Sequence, residues 1–484
     1  MTAAGFWTHD SVRSAMAAVW AVRPDTMPPL HSGAAIDTRQ LQPGNVFFAL
    51  RGQHTDGHRF LAQALAAGAA LAVIDDPAAA QTAPPALPLV RVPDARAALG
   101  KLAAAYRATL GSVRVVAVTG SNGKTTTTRM IHACLATTRR GHASQKSFNN
   151  DLGVPLTILA AKPGDHYLLC EVGANAPGEI EHLSKIIRPH VVVITAVGRA
   201  HLQGFGSIEQ IAKEKASLAN HLEPGGLVVL PDNCEPLNPW REQLHRVLTF
   251  GSTKDADLRL GAVTQTLQGL SFTINDRDRY TLPLLGKHNA ANAAAAIAVA
   301  RRLSIDTQAI QQGLATFTPP PMRLELTHRA DATLINDAYN ANPESMLAAL
   351  RTLREITPHT TPHTTPHIAP HIARRVAILG DMLELGDTSP QAHAEIADTI
   401  AREALADRVV TVGPAASKMA PPLRDARIDV ETIDHLDQPA ATRIAKSIAP
   451  NDIVLLKASR SMRLEQIADA WHALHAPSVA DGVA

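Results

Sequence analysis

From about residue 95 onward, wholly apolar runs alternate with amphipathic stretches: VRVVAVTG (113–120) then TTTTRMIHACLA, HYLLCEV (166–172) then GEIEHLSKII, HVVVITAV (190–197) then SIEQIAKEKASLANHL. A strand without a polar face must be covered on both sides. A helix-period segment after each strand supplies the cover, so the pattern predicts parallel βαβ units. After the Pro triplet 319–321 a second series begins, with TLINDAY, VAILGDM, RVVTVG and DIVLLKA each preceding a helical pattern. Residues 1 to about 79 mix short strand-like pieces such as VFFAL (46–50) with an Ala-rich helical piece near 60–70. The Pro-rich AAAQTAPPALPLVRVPD that follows reads as a boundary. The expectation is an α/β protein of three blocks, 1–94, 95–321 and 322–484.

Length agrees, since 484 residues at roughly 150 per domain make about three domains. Apolar residues are 45% and charged ones 19%, which suits packed cores rather than disorder; with aromatics at 4%, Ala and Leu must do much of the packing. A formal net charge of +2 supplies no long-range field for nucleic acid or an anionic membrane, so any phosphate recognition must be local. Cys134, Cys170 and Cys234 are scattered without a CxxC spacing, offering neither a disulfide framework nor a zinc knuckle. The amino terminus does not read as a signal peptide, and the longest apolar stretch, Leu61 to Ile74, ends in Asp75-Asp76 short of the ~18 residues of a spanning helix. A cytoplasmic protein without membrane insertion is expected.

TPHTTPHTTPHIAPHIA (357–373) puts Pro at every fourth position, which forbids a helix and predicts an extended excursion. Its row of His359, His363, His367 and His371 offers a metal site as one reading and a loop expansion as the favoured one, because no Cys or acidic ligand accompanies them.

The strongest chemical signal is VVAVTGSNGKTTTT (115–128), an apolar strand, a Gly-rich turn and a Lys-Thr that opens a helix. Backbone N–H groups of Thr119, Gly120, Ser121, Asn122 and Gly123 can crowd toward phosphate oxygens. Lys124 can reach the β and γ phosphates, and Thr125, followed by Thr126, can offer a hydroxyl to Mg²⁺. Val118 stands where the first Gly of the usual GxxxxGK[ST] would be, leaving a compact TGxxGKT form. Ligands of open parallel sheets bind beyond the carboxyl ends of strands, so Glu171, ending HYLLCEV, and His201, after HVVVITAV, are the candidate magnesium and catalytic groups. Lys215 taken alone reads as a solvated helix face. An ATP or GTP site follows, and two uses of it stay open: phosphoryl transfer to a substrate carboxylate, or hydrolysis in a switch, motor or transport ATPase.

With EVGANAPGEI, AHLQGFGS, GKHNAANAAAA, MRLE, DAYNANPESM, ILGDMLELG and KASRSMRLE following the P-loop in this order, the chain resembles the Mur ligases over almost its whole length. The resemblance implies an amino-terminal domain for a uridine nucleotide (1–94), a central P-loop ATPase (95–321) and a carboxy-terminal Rossmann-like domain (322–484). It implies ATP and two Mg²⁺ ions, with Thr125, Glu171, His201 and a carbamylated Lys215 as ligands. Lys124, His201 and Lys215 are the implied catalytic set. His288, Asn289 and Asn292 resemble adenine-side contacts, with helix capping as the plainer reading of the two asparagines. Arg323 and Asp337 resemble the last domain's contacts to the nucleotide. NNDLGVP (149–155) and IDTRQLQPGNVFFALRG (36–52) resemble substrate segments, which singles out Thr38, Arg39, Asn149 and Asn150; Asn340 and Asp381 are the substrate candidates of the last domain.

GDMLELG in place of a DNPR-like box, and KASRS in place of a GKGHE-like segment, resemble the branch that adds a dipeptide. The implied substrates are UDP-MurNAc-tripeptide and D-Ala-D-Ala, handled by a monomer without nucleic acid. Ala458 replaces the more usual Gly of KGSRS, and the His-Pro repeat has the look of an insertion. Other Mur ligases and folylpolyglutamate synthase are the nearest rivals.

Overall fold

The computed structural model describes residues 2–144, 148–244, 246–356 and 374–476. The chain divides into two compact units, Met1–Val197 with Glu209–Phe250 and Ala295–Gly313, and Gly198–Ile208 with Gly251–Ala294 and Leu314–Ala484. The His-Pro repeat lies outside the described residues.

In the first unit, the amino-terminal sheet runs in the order Val19–Val22, Leu89–Arg91, Leu71–Ile74, Val46–Phe48, Ala34–Ala35, parallel except for its first pair. Its core is Phe47, Leu61, Ala64, Ala72, Ile74, Leu87 and Leu89. Two expectations change here. The Ala-rich run is a short helix, Leu61–Ala66, and then a buried strand, Leu71–Ile74, because Gly68 at φ 90° ends the helix and turns the chain. The Pro-rich stretch read as a boundary contains the strand Leu89–Arg91, whose Leu89 and Val90 are fully buried. Its prolines stand outside the paired residues, where a missing N–H costs no ladder bond.

The second sheet of this unit carries the βαβ pattern. Val247–Gly251, Leu227–Pro231, Val191–Ile194, Arg114–Thr119, Tyr167–Glu171 and Gly141–Ala143 lie side by side, all parallel. Lys124–Ala136, Glu179–Ile187 and Ile208–Ala216 are the expected helices, the last giving way to a single turn of 3₁₀ helix, Ser217–Ala219, well before residue 222.

In the second unit, an antiparallel meander (Leu258–Thr266, Gly269–Ile274, Asp278–Leu282) accompanies a sheet ordered Glu325–Arg329, Ala332–Asn336, Ile453–Lys457, Arg375–Gly380, Arg408–Val412, Asp429–Ile433. Only the first pair of that sheet is antiparallel. Val376, Ile378, Val454, Leu456, Ile467 and Trp471 fill its core. Helix Pro343–Glu355 follows the DAYNAN segment and begins with a capping box between Asn342 and Ser345, which sets where that segment ends. No helix of the described residues is long and apolar enough to cross a membrane.

Candidate active site

Strand Arg114–Thr119 delivers the chain to Gly120, whose φ of 153° carries it into the loop, and Gly123 at φ 81° turns it into helix Lys124–Ala136. A Cβ on Gly120 would sit 1.9 Å from the Thr195 hydroxyl, so glycine is required there for space as well as for backbone freedom. Thr195, just past strand Val191–Ile194, braces the loop: its one hydroxyl hydrogen is shared between the carbonyls of Thr119 (3.2 Å) and Asn122, while Ser121 N–H donates to Ala196 O at 2.8 Å. This brace carries no recognisable motif in the sequence. Its signal is positional, as the residue ending the strand next to the P-loop strand.

Lys124 donates from Nζ to Gly120 O at 2.8 Å, folded back over its own loop. Glu171 pairs in register with Val118 and leaves the sheet at the same edge. It is 2% exposed; Oε1 accepts from Asn149 Nδ2 at 3.0 Å and its N–H donates to Ser144 Oγ at 2.9 Å, whereas Oε2 is buried with no hydrogen-bond partner. A buried carboxylate oxygen without a partner is costly unless a cation uses it, and Mg²⁺ takes hard oxygen donors of this kind. Among the described residues no three His, Cys, Asp or Glu side chains converge, so an ion here would rest on Glu171, the Thr125 hydroxyl and the nucleotide's own oxygens.

Lys215, far from the solvated helix face of the plain reading, is 3% exposed. Burial first, then the charge of Lys124, pulls its amine down to about 7 against the partial opposition of Glu214. Glu214 is itself committed, accepting from Gly178 N–H at 2.8 Å and Ile180 N–H at 2.7 Å at the start of helix Glu179–Ile187. The first unit therefore brings together the phosphate loop, Lys124, Glu171, Asn149 and Lys215. Asn150 spends its side-chain oxygen on the N–H groups of Leu152 and Gly153. Arg39 is exposed and grips Asp37 through two donors (2.9 and 2.7 Å), holding that carboxyl below its usual range; Thr38 is half-buried beside it.

The second unit gathers the other candidates. Lys457, 2% exposed, donates to Asp337 Oδ2 at 2.6 Å and to Asn340 O at 2.9 Å, while Asp337 Oδ1 accepts from Leu324 N–H at 3.2 Å. Arg323 lies 4.2 Å over the ring of Tyr339. Crowding by protein atoms first, with Lys457 adding to it and Asp337 opposing, depresses the His288 imidazole. Asn289 donates to Leu285 O at 2.7 Å and accepts at Oδ1 from Asn292 at 2.9 Å, so the two amides bond to each other and to a carbonyl rather than to the backbone N–H groups a helix cap would serve. Asp381, 4% exposed, accepts from Ala416 N–H at 2.7 Å, and the Asn340 side chain accepts from Ala341 N–H at 2.9 Å. His201, at φ 60°, meets Glu384 through Nδ1 at 2.5 Å.

Three family descriptions match along the chain: Mur ligase family, catalytic domain over residues 32–107, Mur ligase middle domain over 118–300, and Mur ligase, glutamate ligase domain over 322–460. The chain belongs to the Mur ligase family. It is thus an ATP-dependent ligase with a three-domain α/β architecture, and the switch, motor or transport alternative left open by the P-loop falls away. The UDP-N-acetylmuramoyl-tripeptide--D-alanyl-D-alanine ligase of Bacillus subtilis is 36% identical over 441 residues, covering 90% of this Mur ligase and 92% of the relative. MurF from Acinetobacter baumannii superposes with a TM-score of 0.83 at 30% identity, covering 96% and 99% of the two chains. The MurF ligase from Thermotoga maritima in complex with ADP gives 0.74 at 26% identity, covering 91% and 97%.

Proposed function

We propose that this Mur ligase joins D-alanyl-D-alanine to UDP-N-acetylmuramoyl-tripeptide, giving UDP-MurNAc-pentapeptide, ADP and phosphate for peptidoglycan synthesis. The observation that carries this reading is the 36% identity, across nine-tenths of both chains, to a ligase named for that reaction. Within it, residues 1–94 hold the uridine nucleotide, 95–321 fire ATP and 322–484 present the dipeptide. The reading includes a cytoplasmic monomer.

A carboxylate is a poor electrophile, and amide formation in water is uphill. The terminal carboxylate oxygen of the tripeptide therefore attacks the γ-phosphorus of ATP, ADP leaves, and the dipeptide amine attacks the acyl carbon, loses a proton and expels phosphate. The protein's task is alignment and cancellation of charge. The amino end of helix Lys124–Ala136 and the N–H groups of Gly120 to Gly123 cradle the phosphates, and Lys124 swings from the Gly120 carbonyl onto them. Glu171, Thr125 and a carbamylated Lys215 are the residues of the first unit that would hold Mg²⁺, His201 is the candidate ligand of the second, and the ions when bound would neutralise phosphate charge. An amine pulled to about 7 is neutral for about half the time near pH 7 and so able to take up CO₂ as a carbamate. Asn149 fixes the Glu171 oxygen it bonds, leaving the other for the cation.

The deciding experiment supplies ATP, Mg²⁺ and UDP-MurNAc-tripeptide with either D-Ala-D-Ala or single amino acids and weighs the product. A product heavier by two alanine residues is expected. Product only with glutamate would sink the assignment, and Lys124→Ala should release no ADP.

A further inference from the structure

For the length of Gly198–Ile208 the chain belongs to the second unit, although residues 197 and 209 on either side belong to the first. His201 lies in this excursion and is held at two points. Two residues earlier, Arg199 reaches Glu344 at 3.0 Å and Glu395 at 2.7 Å, and its N–H donates to Glu344 at 3.2 Å. His201 itself meets Glu384 Oε2 through Nδ1 at 2.5 Å, and Gln203 N–H donates to Glu384 O at 3.0 Å.

Glu384 and His201 are both non-glycine residues in the left-handed region, at φ 62° and 60°. Such residues persist where their surroundings over-determine them. The 381–386 loop that carries Glu384 is pinned on both sides: Met382 N–H donates to buried His393 Nε2 at 3.1 Å, Leu383 N–H to Ser459 Oγ at 2.9 Å, and Asp381 accepts from Ala416 N–H at 2.7 Å. The Glu384 side chain is 58% exposed, and an exposed pair of this kind adds little to stability. What it supplies is direction. A carboxylate on Nδ1 keeps the proton on that nitrogen, fixes the ring plane and leaves Nε2 as the acceptor.

We propose that Glu384 is a positioning residue for His201, through which the 381–386 loop sets the aim of the imidazole. This rests on the ligase reading, in which that loop lies on the dipeptide side and His201 serves the phosphoryl-transfer site.

The test compares Glu384→Ala and Glu384→Gln in the full chain by hydrogen exchange of amides 201–206 and by steady-state kinetics. Glu384→Ala should speed exchange at Gln203 and its neighbours and lower kcat about 10–100-fold, with KM for ATP within about twofold. Glu384→Gln, whose oxygen still accepts from Nδ1, should restore the protection and most of kcat. Unchanged exchange in Glu384→Ala would overturn the proposal, as would loosened exchange with wild-type kcat. Equal kinetic loss in both variants with protection intact would mean that Glu384 acts on the substrate itself. If the wild-type enzyme makes no adduct, the ligase reading fails, and the exchange arm, which needs no turnover, still decides whether Glu384 holds His201.

Discussion

Gly120→Ala is the sharpest test of how the phosphate loop is built. The new Cβ would lie 1.9 Å from Thr195 Oγ1 and 3.1 Å from the backbone nitrogens of Thr195 and Ala196. Rotating the Thr195 side chain relieves the first contact but surrenders the bond it shares between the Thr119 and Asn122 carbonyls, at about 1 kcal/mol. The two backbone contacts cannot rotate away, and overpacking of this kind costs about 1–3 kcal/mol. With the unfavourable φ of alanine at this position, the loss should be roughly 3–6 kcal/mol. Thermal denaturation should then show the first transition lowered by at least about 5 °C, and ADP titration an affinity at least about tenfold weaker. Adding Thr195→Ala removes the hydroxyl that is struck and no bond that Gly120→Ala had kept, so the double variant should melt no lower than Gly120→Ala alone. A Gly120→Ala protein that melts with the wild type, or a double variant less stable than the single, would refute this account of the loop.

Lys215→Met addresses the buried amine. The folded pKa, about 7, lies below the ordinary 10.5, so the unfolded chain binds more protons between those values and wild-type stability falls as pH drops from 10.5 toward 7. In CO₂-free buffer the methionine variant should melt above wild type by a margin that is largest at pH 7 and closes near pH 10.5; parallel profiles would contradict the assignment. Glu171→Gln should raise the Mg²⁺ concentration for half-maximal rate by at least about tenfold, and superimposable Mg²⁺ titrations would remove Glu171 from the metal site. Lys457→Met leaves Asp337 and the Asn340 carbonyl without their buried cation and should cost about 3 kcal/mol in urea unfolding; Lys457→Met with Asp337→Asn should lose less, and equal losses would mean that the pair is not coupled.

The βαβ pattern was legible because strands covered on both faces must be apolar throughout, and Val191–Ile194 and Arg114–Thr119 could be little else. The small first sheet was less legible. Leu89–Arg91 is three residues among prolines, too short for any period to show, and becomes a strand only because Leu71–Ile74 and Val19–Val22 pair with it on either side. The meander at 258–282 was no more legible. Its strands mix exposed, half-buried and buried positions without the long apolar runs that mark the others.

By itself the sequence determined the phosphate loop, the order of the motifs and so the family, because glycines, a Lys-Thr and a strand must be adjacent along the chain to build a helix-start anion site. Only the tertiary structure decided the state of Lys215, since a lysine on an amphipathic helix looks solvated until the elements around it remove the water. Thr195 under Gly120, the unpartnered oxygen of Glu171, Lys457 beneath Asp337 and Glu384 against His201 were likewise invisible. Each depends on residues far apart in the chain meeting at atomic distance, and spacing along a sequence carries no record of that.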